Sequence, residues 1–206
     1  MPSFEHELLH SGLVAGVDEA GCGPWAGPVV AAACCFTTYD LPDTLLKTLN
    51  DSKKLSEKKR LQIFDILHEL RGTHCIFEIA QASVEEVDRL NIRQAALLAM
   101  HRALTALPQL PIMALVDGIS VPKGFTPCMP MTKGDSISFS IAAASILAKV
   151  TRDHIMCDLA KEYPGYGWEK NMGYGTAAHQ AGLALYGITP HHRLSFAPIA
   201  LLKKAA

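Results

Sequence analysis

The sequence predicts an α/β protein, a central sheet with flanking helices followed by a helical C-terminal extension. Three observations carry that expectation. Short apolar, β-branched runs bounded by Gly and Pro crowd the first third of the chain. Apolar positions then recur at helical spacing, and helix-forming stretches dominate the last third. No repeat or low-complexity linker divides the 206 residues, so the simplest layout is one domain over 1–206, with a core at about 13–163 and the extension at about 164–206.

Residues 13–17 and 28–36 read as two strands joined through a Gly/Pro cluster. From Ser56 the period changes: Leu61, Phe64, Leu67 and Leu70 return every three residues, as on an amphipathic helix. Residues 75–80 form a third strand candidate. Ser83-Val84-Glu85-Glu86 is a capping box opening a helical stretch to Leu107, with a break near Asn91. Residues 113–116 and 128–131 are further strand candidates. Ser140 is placed as the cap of an Ala-rich helix reaching Tyr163, followed by a Gly/Tyr loop over 164–175 and a helix over 176–185.

The composition narrows the functional classes. An apolar content of 49% excludes disorder, and 19 basic against 20 acidic residues excludes coating of nucleic acid by bulk charge, so any polyanion must meet a local patch. The apolar runs are too short to span a bilayer and residues 1–10 lack a signal-peptide pattern, which predicts a cytoplasmic protein with no membrane partner. Six irregularly spaced cysteines without a C-x-x-C pair read as reduced, mostly buried thiols.

The chemistry is expected where acids end strands. Asp18 and Glu19 close the first apolar run just before Gly21 and Gly23, and Asp117 closes another just before Gly118. Open α/β sheets bind ligands outside the carboxyl ends of their strands. Asp135, in Lys133-Gly134-Asp135, adds a third acidic position ahead of the long helix. Carboxylates gathered without histidine or thiol suit a hard divalent cation, and two such ions are the usual means of hydrolysing a phosphodiester. On a regular strand Asp18 and Glu19 point to opposite faces, which makes Asp18 the stronger shared ligand and leaves Glu19 dependent on the strand twisting or ending there.

A competing pattern is Gly21-x-Gly23-x-x-Ala26, which satisfies a dinucleotide-binding fingerprint. Its context is poor, because Pro24 and Gly27-Pro28 interrupt the helix that such a site requires. Asp51-Ser52-Lys53-Lys54-Leu55, with Lys58, Lys59 and Arg60 behind it, is either a solvated turn or a phosphate clamp. Ser145, Lys149 and Arg152 share one helix face; packing, with the long basic chains snorkelling to water, is the plain alternative to substrate contact. Asp153 is a candidate pair for Lys149. Tyr174, between Gly173 and Gly175, either lays its ring on a sugar or base or caps the core. His191 and His192 read as surface or helix-end residues and, lacking a carboxylate at ligand spacing, not as a metal site; Trp25 and Trp168 read as packing residues.

Taken in order, Asp18-Glu19-Ala20-Gly21-x-Gly23-Pro24, Asp51 to Leu55, Val116-Asp117-Gly118, Lys133-Gly134-Asp135, Ala142 to Asp153, Gly173-Tyr174 and His191-His192-Arg193 closely resemble the bacterial ribonuclease HII family over about residues 13–198. The resemblance implies a ribonuclease H-like fold with a mixed sheet. It implies an endonuclease that cuts the RNA strand of RNA–DNA hybrids and nicks duplex DNA 5′ of an embedded ribonucleotide, leaving 3′-hydroxyl and 5′-phosphate ends. Asp18, Glu19, Asp117 and Asp135 match the catalytic acids, which hold two Mn²⁺ or Mg²⁺ ions. Gly21, Cys22 and Gly23 match the turn whose backbone contacts the ribose 2′-OH, the group that separates RNA from DNA. Tyr174 matches a tyrosine that stacks on the neighbouring deoxyribose, and Lys53 a residue near the substrate phosphates. Ser145, Lys149 and Arg152 complete the expected substrate-binding set, and a monomer is expected. Two departures stand out. Cys22 replaces the family's arginine and removes a fixed positive fork; Asn171-Met172 replaces a more polar or basic pair.

Overall fold

The computed structural model describes residues 2–49, 52, 55–125 and 127–205. Five strands form one mixed sheet in the order β3-β2-β1-β4-β5. They are β1 (Val14–Ala20), β2 (Val29–Phe36), β3 (Cys75–Ala82), β4 (Met113–Asp117) and β5 (Cys128–Met131). β2 runs antiparallel to β1 and β3, whereas β4 runs parallel to β1 and β5 parallel to β4. The expected strands are all present, and β1 continues past the predicted end through Asp18 and Glu19.

Every residue of β2 is buried, as in a strand covered on both faces. One face carries Val30, Ala32, Cys34 and Phe36 against α2 (Glu57–Glu69) and α5 (Phe139–Glu162). The other carries Ala31, Ala33 and Cys35, with Ala15 and Val17 of β1, against α4 (Ile92–Ala106). Small strand residues let the helices approach closely. Gly16 is the extreme case: a Cβ there would stand 2.0 Å from the backbone of Ser140, so only glycine allows α5 to lie on β1.

The caps mark where local sequence wins. Ser56 caps α2, and the Ser83–Glu86 box opens α3 (Val84–Leu90) with both reciprocal hydrogen bonds. Asn91, at φ 70°, ends that helix and caps α4 through its side chain.

Three expectations need correction. Ser138, not Ser140, caps α5, accepting from the Ile141 N–H at 3.1 Å, while Ser140 lies buried inside the helix. The cause is the N-terminal segment: the Glu7 carboxylate accepts from Ser138 Oγ (2.6 Å) and from the Ser140 N–H (3.1 Å), moving the start of α5 forward. The 164–175 loop contains a short helix, α6 (Trp168–Asn171). Helices α1 (Asp43–Thr48) and α8 (Ala197–Ala205) were not foreseen; α7 (Ala177–Tyr186) was, with Thr176 as its cap. As the Pro24 and Gly27-Pro28 context suggested, the glycine turn after β1 leads into antiparallel β2 and opens no helix, so the competing dinucleotide reading has no helix N-terminus for a pyrophosphate. Among the described residues, no helix is long and apolar enough to cross a membrane. The six cysteines are thiols outside any disulfide; Cys34, Cys35 and Cys75 are buried and the other three half-buried.

Candidate active site

β1 and β4 are parallel neighbours with Val17 opposite Val116, so Asp18 and Asp117 stand one residue further along at the same level. By strand alternation both lie on the α5 face, since Val17 and Val116 pack on the α4 face. Asp18 is buried, and burial, followed by the charges of Glu19 and Asp117, pushes its carboxyl well above the usual carboxylate range; the Ser145 hydroxyl and the Glu19 N–H, which donates to Oδ1 at 2.7 Å, oppose that rise. The Gly134 N–H donates to Asp117 Oδ1 at 2.7 Å. That bond ties the short 3₁₀ turn Gly134–Ser136, and with it the buried Asp135, to the end of β4.

Glu19 points to the other face, as alternation predicts, but at the strand end it borders both sides. It lines a groove of about 400 Å³ with Cys22, Asp117 and the first turns of α4, and also a cleft of about 370 Å³ with Asp18, the Gly21–Gly23 turn, Ser52, Ser145, Lys149, Arg152 and Tyr174. The α5 residues reach this cleft by matched spacing. From Gly16 to Asp18 a strand advances roughly 7 Å, and from Ser140 to Ser145 a helix advances about the same.

Asp18, with Glu19 and Asp117 raising the cost of its charge, forms with them an oxygen-only donor set, which fits a hard divalent cation. Among the described residues, no three acids, histidines or cysteines already converge to ligand spacing.

The basic side of the cleft follows the expectation in part. Ser52 Oγ and Ser145 Oγ are 2.9 Å apart, and Arg60 donates to the Ser52 and Leu55 carbonyls, so the segment before α2 is anchored beside Asp18. Asp51, Lys53 and Lys54 of the same motif lie outside the described residues. Lys149 pairs with Asp153 at 2.7 Å, as its spacing suggested.

Arg152 corrects the snorkelling expectation: only 1% exposed, it donates to the carbonyls of Pro28 (3.0 Å), Met172 (3.0 Å) and Ala26 (3.1 Å). The surface reading also fails at His192, which is 1% exposed, whereas His191 is half-buried. Arg193 is fully buried and donates to the carbonyls of Gly21 (2.6 Å), Gly27 (3.0 Å), Pro28 (3.2 Å) and Cys22 (3.3 Å). Burial, then the charge of Arg152, lowers its pKa to about 10, which leaves it a cation at neutral pH. Residues 21–28 are thus held by two buried arginines from distant parts of the chain, Arg193 at the glycine turn itself and Arg152 at Ala26 and Pro28 beyond it. The burial of Arg193 depends on partners more than 160 positions away, so no local signal announces it.

Glycines are required where this loop is tightest. A Cβ at Gly21, which has φ +100°, would meet the Arg152 side chain at 2.1 Å, and one at Gly23 would lie 3.1 Å from the Tyr174 ring. Tyr174 therefore sits beside the turn with its side chain half-exposed toward the cleft. Cys22 places its thiol 3.6 Å from Glu19 Oε1, and burial first, then the Glu19 charge, pushes it up to about 12, so it is a neutral donor. Trp25 and Trp168 pack as expected.

Acids at the ends of two parallel neighbouring strands, bordered by a glycine turn and a basic helix face, define a carboxylate-based hydrolytic site on an α/β sheet. Residues 15–199 match the family model described as Ribonuclease HII. A Ribonuclease HII of Gluconobacter oxydans is 52% identical over 199 residues, covering 97% of this chain and 95% of that protein. Among solved structures, the ribonuclease H2 of Pyrococcus horikoshii OT3 superposes with a TM-score of 0.76 at 24% identity over 94% of this chain and 98% of that one. A Bst RNase HIII solved in complex with Mn²⁺ gives a TM-score of 0.69 at 19% identity over 97% and 72%; at these identities both structures speak for the fold. The chain belongs to the ribonuclease HII family, type 2 ribonucleases H that act as metal-dependent endonucleases on RNA-containing nucleic acid.

Proposed function

We propose that the protein cuts the RNA strand of RNA–DNA hybrids and nicks duplex DNA on the 5′ side of an embedded ribonucleotide, leaving 3′-hydroxyl and 5′-phosphate ends. The observation that carries this reading is the placement of Asp18 and Asp117 at the ends of adjacent parallel strands, with the Asp117 charge adding to the electrostatic burden on Asp18. Asp18, Glu19, Asp117 and Asp135 would hold two divalent cations, Mn²⁺ or Mg²⁺; when bound, such ions activate water and neutralise charge on the phosphate and the leaving oxygen. Oxygen-only donors favour either metal over zinc.

The chain's own residues orient the substrate. The Gly21–Gly23 backbone reads the ribose 2′-OH, which is why its exact course, fixed by Arg193 at the Gly21 and Cys22 carbonyls, matters more than the side chain at Cys22. Tyr174 offers a ring to the adjoining sugar. Ser145 holds Asp18, while Lys149 and Lys53 offer charge to the phosphates, Arg152 acting through the loop it supports. The protein works as a cytoplasmic monomer in this reading.

The test uses duplex DNA with one ribonucleotide and a long RNA–DNA hybrid, each with and without Mn²⁺ or Mg²⁺, with product ends mapped. Metal-dependent cleavage at the DNA–RNA junction with a 3′-hydroxyl is expected. Binding without metal-dependent cleavage would instead identify an inactive nucleic-acid-binding module.

A further inference from the structure

Behind Tyr174 lies a buried aromatic cluster that the proposed chemistry does not use: Trp168, His179 and His192, with exposures of 0%, 0% and 1%. Its hydrogen bonds assign every ring proton. The Thr189 N–H donates to His192 Nδ1 at 2.9 Å, so that nitrogen is an acceptor and the His192 proton resides on Nε2. His192 Nε2–H faces His179 Nε2 at 3.0 Å, and Trp168 Nε1–H, which can only donate, reaches the same His179 nitrogen at 3.1 Å. His179 Nε2 is therefore an acceptor, and its proton is on Nδ1, directed at the Tyr174 carbonyl 3.0 Å away. That carbonyl also accepts from the Thr176 N–H at 2.8 Å.

We infer that His179 is a positioning residue that acts on the reaction through Tyr174, with Trp168 and His192 fixing the tautomer that lets it hold the Tyr174 backbone. The inference rests on reading Tyr174 as a substrate contact. It follows from where the hydrogen bond ends: the one donor of a fully buried ring goes to the residue whose side chain lies against Gly23 and enters the cleft. Neighbouring contacts limit the segment's freedom, since the Trp25 N–H donates to the Gly173 carbonyl at 2.8 Å and a Cβ at Gly175 would strike the Trp25 ring at 2.1 Å. A neutral pair suits the task, because a protonated His179 would turn a donor on Trp168 and His192.

A double-mutant cycle with duplex DNA containing one ribonucleotide tests the inference in the full chain. Tyr174→Ala is expected to raise KM about tenfold, as loss of one stacking contact does. His179→Gln keeps an acceptor near the Nε2 position and loses the donor to Tyr174; it should raise KM severalfold, leave kcat within about twofold, and add nothing in the Tyr174→Ala background. His179→Asn, with its amide near the Nδ1 position, should recover most of the wild-type KM. Equal losses from His179→Gln in both backgrounds, a fall in kcat without a change in KM, or no effect on KM would overturn it. An unchanged KM in Tyr174→Ala alone would remove the reading of Tyr174 as a contact, a separate result. Independently of any variant's folding, ¹⁵N ring shifts in the wild-type protein should report a proton on Nδ1 of His179 and on Nε2 of His192; the opposite tautomers refute the inference.

Discussion

The carboxylates of the cleft and the arginines that hold residues 21–28 solve opposite problems within a few residues of one another. Asp18, Glu19 and Asp117 crowd like charges at the end of the sheet, and burial drives the Asp18 carboxyl well up from its ordinary range. Arg152 and Arg193 bury their charges too, yet each guanidinium meets main-chain carbonyls, three for Arg152 and four for Arg193. One region is electrostatically unfavourable and ready for a cation; the other is satisfied and rigid. The contrast teaches which residues act on substrate and which hold those residues still, a distinction that residue type alone does not make.

The contrast sets the size of what mutation should do. Asp117→Asn removes charge from the acid cluster with little change in volume, and cleavage should fall on the order of 10³-fold with the melting temperature maintained or raised, as judged by single-turnover kinetics and calorimetry. Near-normal turnover would remove the acids from the chemistry. Arg193→Met should act the other way round. It leaves the Gly21, Cys22 and Gly27 carbonyls without their donor, so stability in urea should drop by about 3 kcal/mol, with activity lost through the displaced turn.

Acid should separate the regions further. Burial lowers the pKa of His192 to about 4 from an ordinary 6.5, and His179 is lowered for the same reason. Between those pH values the unfolded chain binds more protons than the folded one, so stability rises with pH and is lost on acidification, by about 2–3 kcal/mol for His192 between pH 7 and 4.5. His192→Gln should flatten that part of the stability–pH curve; an unchanged slope would mean that the buried pair does not set it. The smallest effect concerns Cys22. Cys22→Arg adds a charge at the mouth of the cleft and should tighten substrate binding while steepening the log–log salt dependence of affinity by about one unit. A salt slope equal to that of the parent chain would show that position 22 meets no phosphate.

Much of this arrangement was legible in the residues. Strand and helix periods located the sheet and most helices, the Ser83–Glu86 box opened its helix as written, and acids following apolar runs marked the strand ends that form the cleft. Other features were not. The start of α5 was misplaced by two residues because Glu7, more than 130 positions away, binds the Ser138 hydroxyl and the Ser140 amide. His192 read as a surface residue because no local pattern records that Trp168 and His179 pack around its ring. Arg152 was placed on the correct helix face, but its guanidinium turns to carbonyls and not to water.

By itself, then, the sequence determined the order of the elements, the identity of the acids and the oxygen-only chemistry they support, because period, capping and side-chain type act over a few residues. Only the tertiary structure decided that Asp18 and Asp117 share a face, that two arginines underlie residues 21–28, and that two neutral histidines stand behind Tyr174. Those facts depend on strand register and on carbonyl groups brought together from opposite ends of the chain, and no local pattern encodes either.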